Sequence, residues 1–287
     1  MAYATFQARM RRLWLLVLLA GCGSKHAEPA APGAQQGAHL PDGPPTATPG
    51  ERMSYVLTLG GMTLGTYDLG VGDLADVDGK PAIVVQGHAK SAGLAAFVKN
   101  VDDTYTSWID VSTGRSLRWV VDEQTPDGIS RERTDAHIAS RDGNVIPVDV
   151  WVNDKPLKES QKVTLKDVWD YNAFLIALRA WEAPRGSSSE AEVFRSRYMW
   201  HTKATIASKE NLTTELGDFP TLKIDGVSYR VNRNGSRDTS LEEREFTLWI
   251  SDDAARVPLQ MVAHTDYGEV TLSIVDYQPG NGAPLRP

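Results

Sequence analysis

A single cysteine, Cys22, serves the whole of a 287-residue chain, so no internal disulfide can form and zinc sites built on paired thiolates are excluded. Positive charge is also scarce. The formal net charge is -7, and the first 21 residues hold three arginines (Arg9, Arg11, Arg12) and no acid, so the remainder carries -10. General nucleic-acid binding relies on clustered Lys and Arg against phosphates and does not fit that balance. Long apolar runs are missing too. Leu13 to Ala20 (LWLLVLLA) is eight residues long, whereas a membrane-crossing helix needs roughly 20. Finally, there is no G-x-S-x-G, H-E-x-x-H or G-x-x-x-x-G-K-[ST] pattern, so none of those nucleophile, zinc or phosphate motifs is offered.

What is present begins with the arginines, the short apolar run and Gly21-Cys22, in the order of the n-region and h-region of a secretory signal. Leu19-Ala20-Gly21-Cys22 resembles the bacterial lipobox, in which cleavage precedes the cysteine and the new terminus is acylated. That resemblance implies a signal peptide over 1–21, lipidation of Cys22 with palmitate-type chains, and a membrane partner reached through the anchor. Two or three acyl chains, at about 0.8 kcal/mol per buried methylene, hold such a protein nearly permanently. Gly23 stands where an Asp would signal inner-membrane retention, which points to the periplasmic face of the outer membrane. Residues 23–50 contain six prolines, five glycines and one large apolar side chain, Leu40. That composition predicts a disordered tether over 22–50 reaching on the order of 30 Å, followed by one β-rich domain over 51–287.

From Glu51 onward the pattern is strands. MSYVLTL (53–59) and TLGTYDLGV (63–71) flank Gly60-Gly61 as a hairpin, and Asp-Gly pairs at 78–79, 127–128, 142–143 and 225–226 read as further turns. Eleven to twelve strands are expected, many alternating apolar and polar residues. This predicts a mainly β fold, a large curved antiparallel sheet of half-barrel or sandwich type. One main helix packs against it. Leu165, Val168, Tyr171, Leu175 and Leu178 recur at near-helical spacing, with Thr164 as N-cap and Pro184 and Gly186 beyond. About 18 helical residues are expected between 163 and 186.

Gly50-Glu51, Tyr55, Ser107-Trp108-Ile109-Asp110, the segment from Asp170 to Arg179, and above all LWISDD (248–253) with Arg256-Val257-Pro258-Leu259 resemble the bacterial domain-of-unknown-function family numbered 3108, over about residues 50–277. The resemblance implies an exported, mostly β protein with a fold similar to the LolA and LolB lipoprotein-localisation factors. It brings no catalytic or ligand residue with it.

The residues offer little chemistry of their own. Asp252-Asp253 reads as a turn between strands, with Pro258 opening the next one. Ser251, Asp252 and His264 could be drawn as a triad, but hairpin connectivity does not bring them together. His88, His137, His201 and His264 are scattered at strand positions, and His26 and His39 lie in the tether, so no metal, cofactor or catalytic residue is assigned. Arg179, late in the helix, reads as a helix-dipole partner or ion pair. The tryptophans Trp108, Trp119, Trp151, Trp169, Trp181, Trp200 and Trp249 either fill a core or line an apolar pocket. The expected function is therefore non-enzymatic: an envelope lipoprotein binding a hydrophobic ligand, lipid or acyl chain, in the cavity of the sheet. The alternative is a scaffold for an envelope protein or glycan. A cavity of several hundred Å³ beneath the helix favours the first, and a filled interior the second.

Overall fold

A computed structural model describes residues 39–286, apart from 99, 126–128 and 266–267. The signal segment, Cys22, His26 and the first part of the tether lie outside the described residues, as does the Asp-Gly pair at 127–128. In chain order the strands are β1 (Arg52–Leu59), β2 (Met62–Val77), β3 (Lys80–Ser91), β4 (Asp102–Asp110), β5 (Ser116–Gln124), β6 (Arg131–Ala136), β7 (Val145–Val152) and β8 (Lys155–Lys162). They continue as β9 (Val168–Asp170), β10 (Ser188–Arg195), β11 (Tyr198–Thr214), β12 (Gly217–Val231), β13 (Arg244–Ser251), β14 (Pro258–Thr265) and β15 (Gly268–Gln278). Helix α1 (Gly93–Val98) follows β3, and α2 (Tyr171–Arg179) follows β9.

All fifteen strands belong to one curved, unclosed sheet in the order β8-β7-β6-β5-β4-β3-β2-β1-β15-β14-β13-β12-β11-β10-β9. Sequence neighbours pair throughout, with the single exception of β8 and β9. β1 pairs with β15, so the first and last strands meet in the middle of the sheet, and β8 and β9 are its terminal strands. Pairing is antiparallel except between β9 and β10. The tight turns follow from residues that accept positive φ: Gly60 and Gly61 (55° and 82°), Asp78 and Gly79 (53° and 80°), and Asn153 and Asp154 (48° and 62°).

Alternation assigns the inner face. In β4, Asp103, Tyr105, Ser107 and Ile109 are buried while their neighbours are half-buried or exposed. Register shifts at Ser54/Tyr55, Val71/Leu74, Trp108/Ile109 and Ile206/Ser208 mark bulges, and bulges are what bend a sheet this wide. The curl brings the β10–β11 turn back across the first half of the sheet. There the Trp119 indole N–H donates to Ser196 O at 3.0 Å, and Arg197 pairs with Glu132 at 2.9 Å and with Glu159.

Four expectations need correction. The sheet has fifteen strands where eleven to twelve are expected, the additional ones being β7, β8, β9 and β10. The helix covers nine residues, not about eighteen, and its N-cap is Asp170 rather than Thr164. Val168 and Trp169 pair with β10 instead, and the Thr164 and Leu165 N–H groups are taken by the buried Glu192 carboxylate. Residues 39–50 do not hang free: Leu40 and Ala47 are buried, Arg115 pairs with Asp42 at 2.6 Å, and Leu285 N–H donates to Ala47 O. One buried leucine with several stiff prolines suffices because Pro has little backbone freedom to lose. Asp225-Gly226 is no turn; it lies inside β12 opposite Phe246, whose ring covers the glycine so closely that a Cβ there would stand 2.1 Å from it.

Candidate functional site

Helix α2 lies within the curve of the sheet, fixed at both ends by polar contacts. At its start the Asp170 carboxylate accepts the Ala173 N–H at 2.9 Å and the Ser107 hydroxyl at 2.6 Å. Complete burial outweighs these contacts and pushes the Asp170 pKa up to about 6. Two residues on, the Asn172 amide donates to Tyr105 O and Val85 O at 3.1 and 3.3 Å and accepts from the Tyr67 hydroxyl at 3.4 Å. At the far end the Arg179 fork meets Glu51 at 2.7 and 3.0 Å and donates to the carbonyls of Ala255 and Arg256. Arg179 is thus an ion-pair residue, and it clamps the helix to the start of β1 and to the β13–β14 turn.

Three small hollows remain between α2 and the inner face. The first, about 50 Å³, lies towards the ends of β1–β5 that carry the β1–β2 and β5–β6 turns, and is walled by Tyr67, Lys90, Asp103, Tyr105, Glu123 and Arg195 among others. The second, about 30 Å³, lies between α2 and β10–β14 and is almost wholly apolar, with Phe174, Leu178, Val193, Trp200, Leu248 and Met261 in its walls. A third, about 20 Å³, shares Tyr67 and Leu272 with the first and Tyr171, Leu175, Leu248 and Met261 with the second. They are neighbours that share these wall residues and together make up a crevice of separate small hollows, each with room for a few water molecules. A void of several hundred Å³ beneath the helix is not found among the described residues; the interior is mostly filled.

Arg195 belongs to the walls of both the first and the second hollow. It is the last residue of β10 and 8% exposed. Its guanidinium stacks on Trp200 at 4.1 Å, and burial pulls its pKa down to about 9. The turn that carries it is held from two sides, because Ser196 O accepts from Trp119 and Ser196 Oγ donates to Glu123 at 2.8 Å. Four tyrosines line the crevice. Burial raises the pKa of Tyr171 to about 12 and those of Tyr55, Tyr67 and Tyr105 well above the ordinary value, so their hydroxyls stay neutral.

The comparisons with known proteins bear on this arrangement. Residues 54–275 match the family model described as "Protein of unknown function (DUF3108)". The chain belongs to that family. Among solved structures it is similar to a β-barrel-like protein of domain of unknown function DUF1849 from Brucella abortus, at 10% identity and TM-score 0.55, over 82% of this chain and 100% of that one. That likeness supports the fold alone. A protein from Parabacteroides distasonis described as a lipoprotein (8% identity, 85% and 100% covered) and a protein from Bacteroides fragilis described as exported, with a YmcC-like fold (7%, 83% and 99%), align with TM-scores of 0.37 and 0.31, too low to argue from. No curated protein sequence matches.

The residues considered from sequence are spread apart. Ser251 Oγ donates to Asp253 and accepts the Val257 N–H, Asp252 pairs with Lys209 at 2.6 Å, and His264 sits near the other end of β14 beside Glu269. His88 pairs with Asp102, His137 with Asp149, His201 with Glu190, and His39 with Asp167. Among the described residues no three His, Cys, Asp or Glu side chains converge as metal donors. Trp119, Trp169 and Trp181 fill the core. Trp108, Trp151 and Trp249 carry Arg118, Arg133 and Lys223 on their faces, and Trp200 alone of the seven lines the crevice. Sequence reasoning missed the tyrosines and Arg195. The available signal was parity, since Arg195 shares an inward phase with Ala191 and Val193.

Proposed function

We propose that this chain is a non-catalytic lipoprotein of the bacterial envelope, anchored through Cys22, that binds a hydrophobic ligand in the crevice between α2 and the sheet. The observation that carries the reading is the row of three hollows with shared walls between α2 and the sheet, polar at the strand ends and apolar beneath the helix. Orientation supports it as well. The incoming chain packs on the β4–β5 turn, where Gly43 N–H donates to Thr113 O, at the opposite end of β4 and β5 from Asp103 and Glu123. Residue 43 thus lies at the end of the sheet opposite the polar hollow. Its size limits the ligand to a short apolar chain or one end of a longer one, because α2 is held at both ends. Among the described residues no helix is long and apolar enough to cross a membrane; in this reading the lipid on Cys22 supplies the attachment.

The filled interior favours a second reading, a scaffold that presents its outer surface. The terminal strand β8 does not invite strand addition: Lys162 N–H at its end donates to Arg233 O, Lys155, Lys158 and Lys162 stand exposed along it, and charged edges block pairing. Two measurements test the first reading. The full chain purified from bacterial envelopes is expected to carry lipid or fatty acid in its extract by mass spectrometry; an empty protein that also takes up no added fatty acid refutes the binding role. Cys22→Ser is expected to abolish labelled-palmitate incorporation and release the protein from the membrane fraction, and a variant that stays membrane-bound refutes the anchor.

A further inference from the structure

We infer that Arg195 is the receiving group for the carboxylate or phosphate of an anionic amphiphile whose apolar part enters the hollow beneath α2. This deepens the ligand-binding reading above and rests on it. Arg195 lines both the polar and the apolar part of the crevice, which is where the head and tail of an amphiphile must separate. Its Nη1 is buried with no hydrogen-bond partner, and among the described residues its guanidinium forms no ion pair. The buried Arg179 is by contrast matched by Glu51, and the part-exposed Arg118, Arg230 and Arg197 each meet a carboxylate.

A buried, unmatched guanidinium is costly, and the fold holds this one deliberately in place through the Trp200 stack and the braced Ser196 turn. The nearby acids are engaged elsewhere: Glu123 accepts from Ser196, and Asp103 accepts the Gln124 N–H at 2.8 Å. Arg244 adds positive potential at Arg195, partly offset by Glu123, and Lys90 stands in the outer wall. A planar fork with an unpartnered donor suits carboxylate and phosphate oxygens alike.

The test is calorimetric titration of the full chain with octanoate, octyl phosphate, 1-octanol, acetate and inorganic phosphate, repeated on Arg195→Gln and Arg195→Lys. Octanoate and octyl phosphate are expected to bind the wild type at least tenfold more tightly than octanol. Arg195→Gln should lose at least tenfold for both anionic amphiphiles with octanol unchanged, and Arg195→Lys should retain part of the difference. A thermal melt checks that the variants fold; should Arg195→Gln unfold, the wild-type preference for octanoate over octanol decides. Equal binding of octanoate and octanol overturns the Arg195 assignment while leaving a neutral hydrophobic ligand in place. Binding of acetate or inorganic phosphate as tight as that of the octyl compounds overturns the amphiphile, and no binding of any octyl compound overturns both this inference and the reading it rests on.

Discussion

Replacing Arg179 by methionine removes the guanidinium that clamps α2 while keeping much of its apolar stem. Both members of the Glu51–Arg179 pair are only 3% exposed at their side chains. Glu51 would be left with one donor, the Tyr277 hydroxyl at 3.1 Å, and the carbonyls of Ala255 and Arg256 would each lose a charged donor. Breaking one side of a buried pair costs about 3–5 kcal/mol, and the orphaned carbonyls place this case towards the upper end. For a chain of this size about 4 kcal/mol corresponds to a fall in Tm of roughly 8–16 °C. Glu51→Gln alone should cost about 2–3 kcal/mol, because Arg179 keeps its two carbonyls. The double variant should lose far less than the sum, with a coupling of about 3 kcal/mol, since no unmatched charge remains buried. Urea and thermal unfolding followed by circular dichroism measure all four species. A loss below about 1 kcal/mol for Arg179→Met, or additivity within about 0.5 kcal/mol, would refute the view that this pair fixes the helix.

Two more outcomes can be checked. The buried Asp170 has a folded pKa of about 6 against about 3.9 unfolded, so the folded state holds the extra proton between those values and stability falls as pH rises from about 4 to 6. At about 1.36 kcal/mol per unit the change is about 3 kcal/mol at most. Unfolding of wild type and Asp170→Asn across pH 4–8 should show wild type losing ground to the variant over that window and no further above it; parallel curves would contradict the assignment. Changing Lys155, Lys158 and Lys162 together to threonine should raise concentration-dependent association in sedimentation with little effect on Tm, because their charges guard the β8 edge. An unchanged monomer fraction would show that the edge is protected in some other way.

Period-two burial and turn chemistry were local properties, which is why Gly60-Gly61 and Asp78-Gly79 announced their hairpins and why β1–β5 and β13–β15 were legible. β7 and β8 escaped notice because VIPVDVWV and KPLKESQK follow one another across Asn153-Asp154, a turn without glycine. The helix was overextended because Val168 and Trp169 fit helical spacing equally well, and the parallel pairing with β10 could not be read locally. Asp225-Gly226 misled for a related reason: a glycine permissive enough for a turn also lets the Phe246 ring lie flat across a strand.

By itself, then, the sequence determined a curved, mostly β body and set aside disulfides and Cys-based zinc sites, since those depend on composition and on spacing between near neighbours. Only the tertiary structure decided that the interior is nearly full, that Arg179 answers Glu51 from 128 residues away, and that Arg195 is buried with an unpartnered Nη1 and no ion pair among the described residues. Those are outcomes of which distant strands the curl brings face to face, and a buried charge acquires its meaning from partners that lie far along the chain.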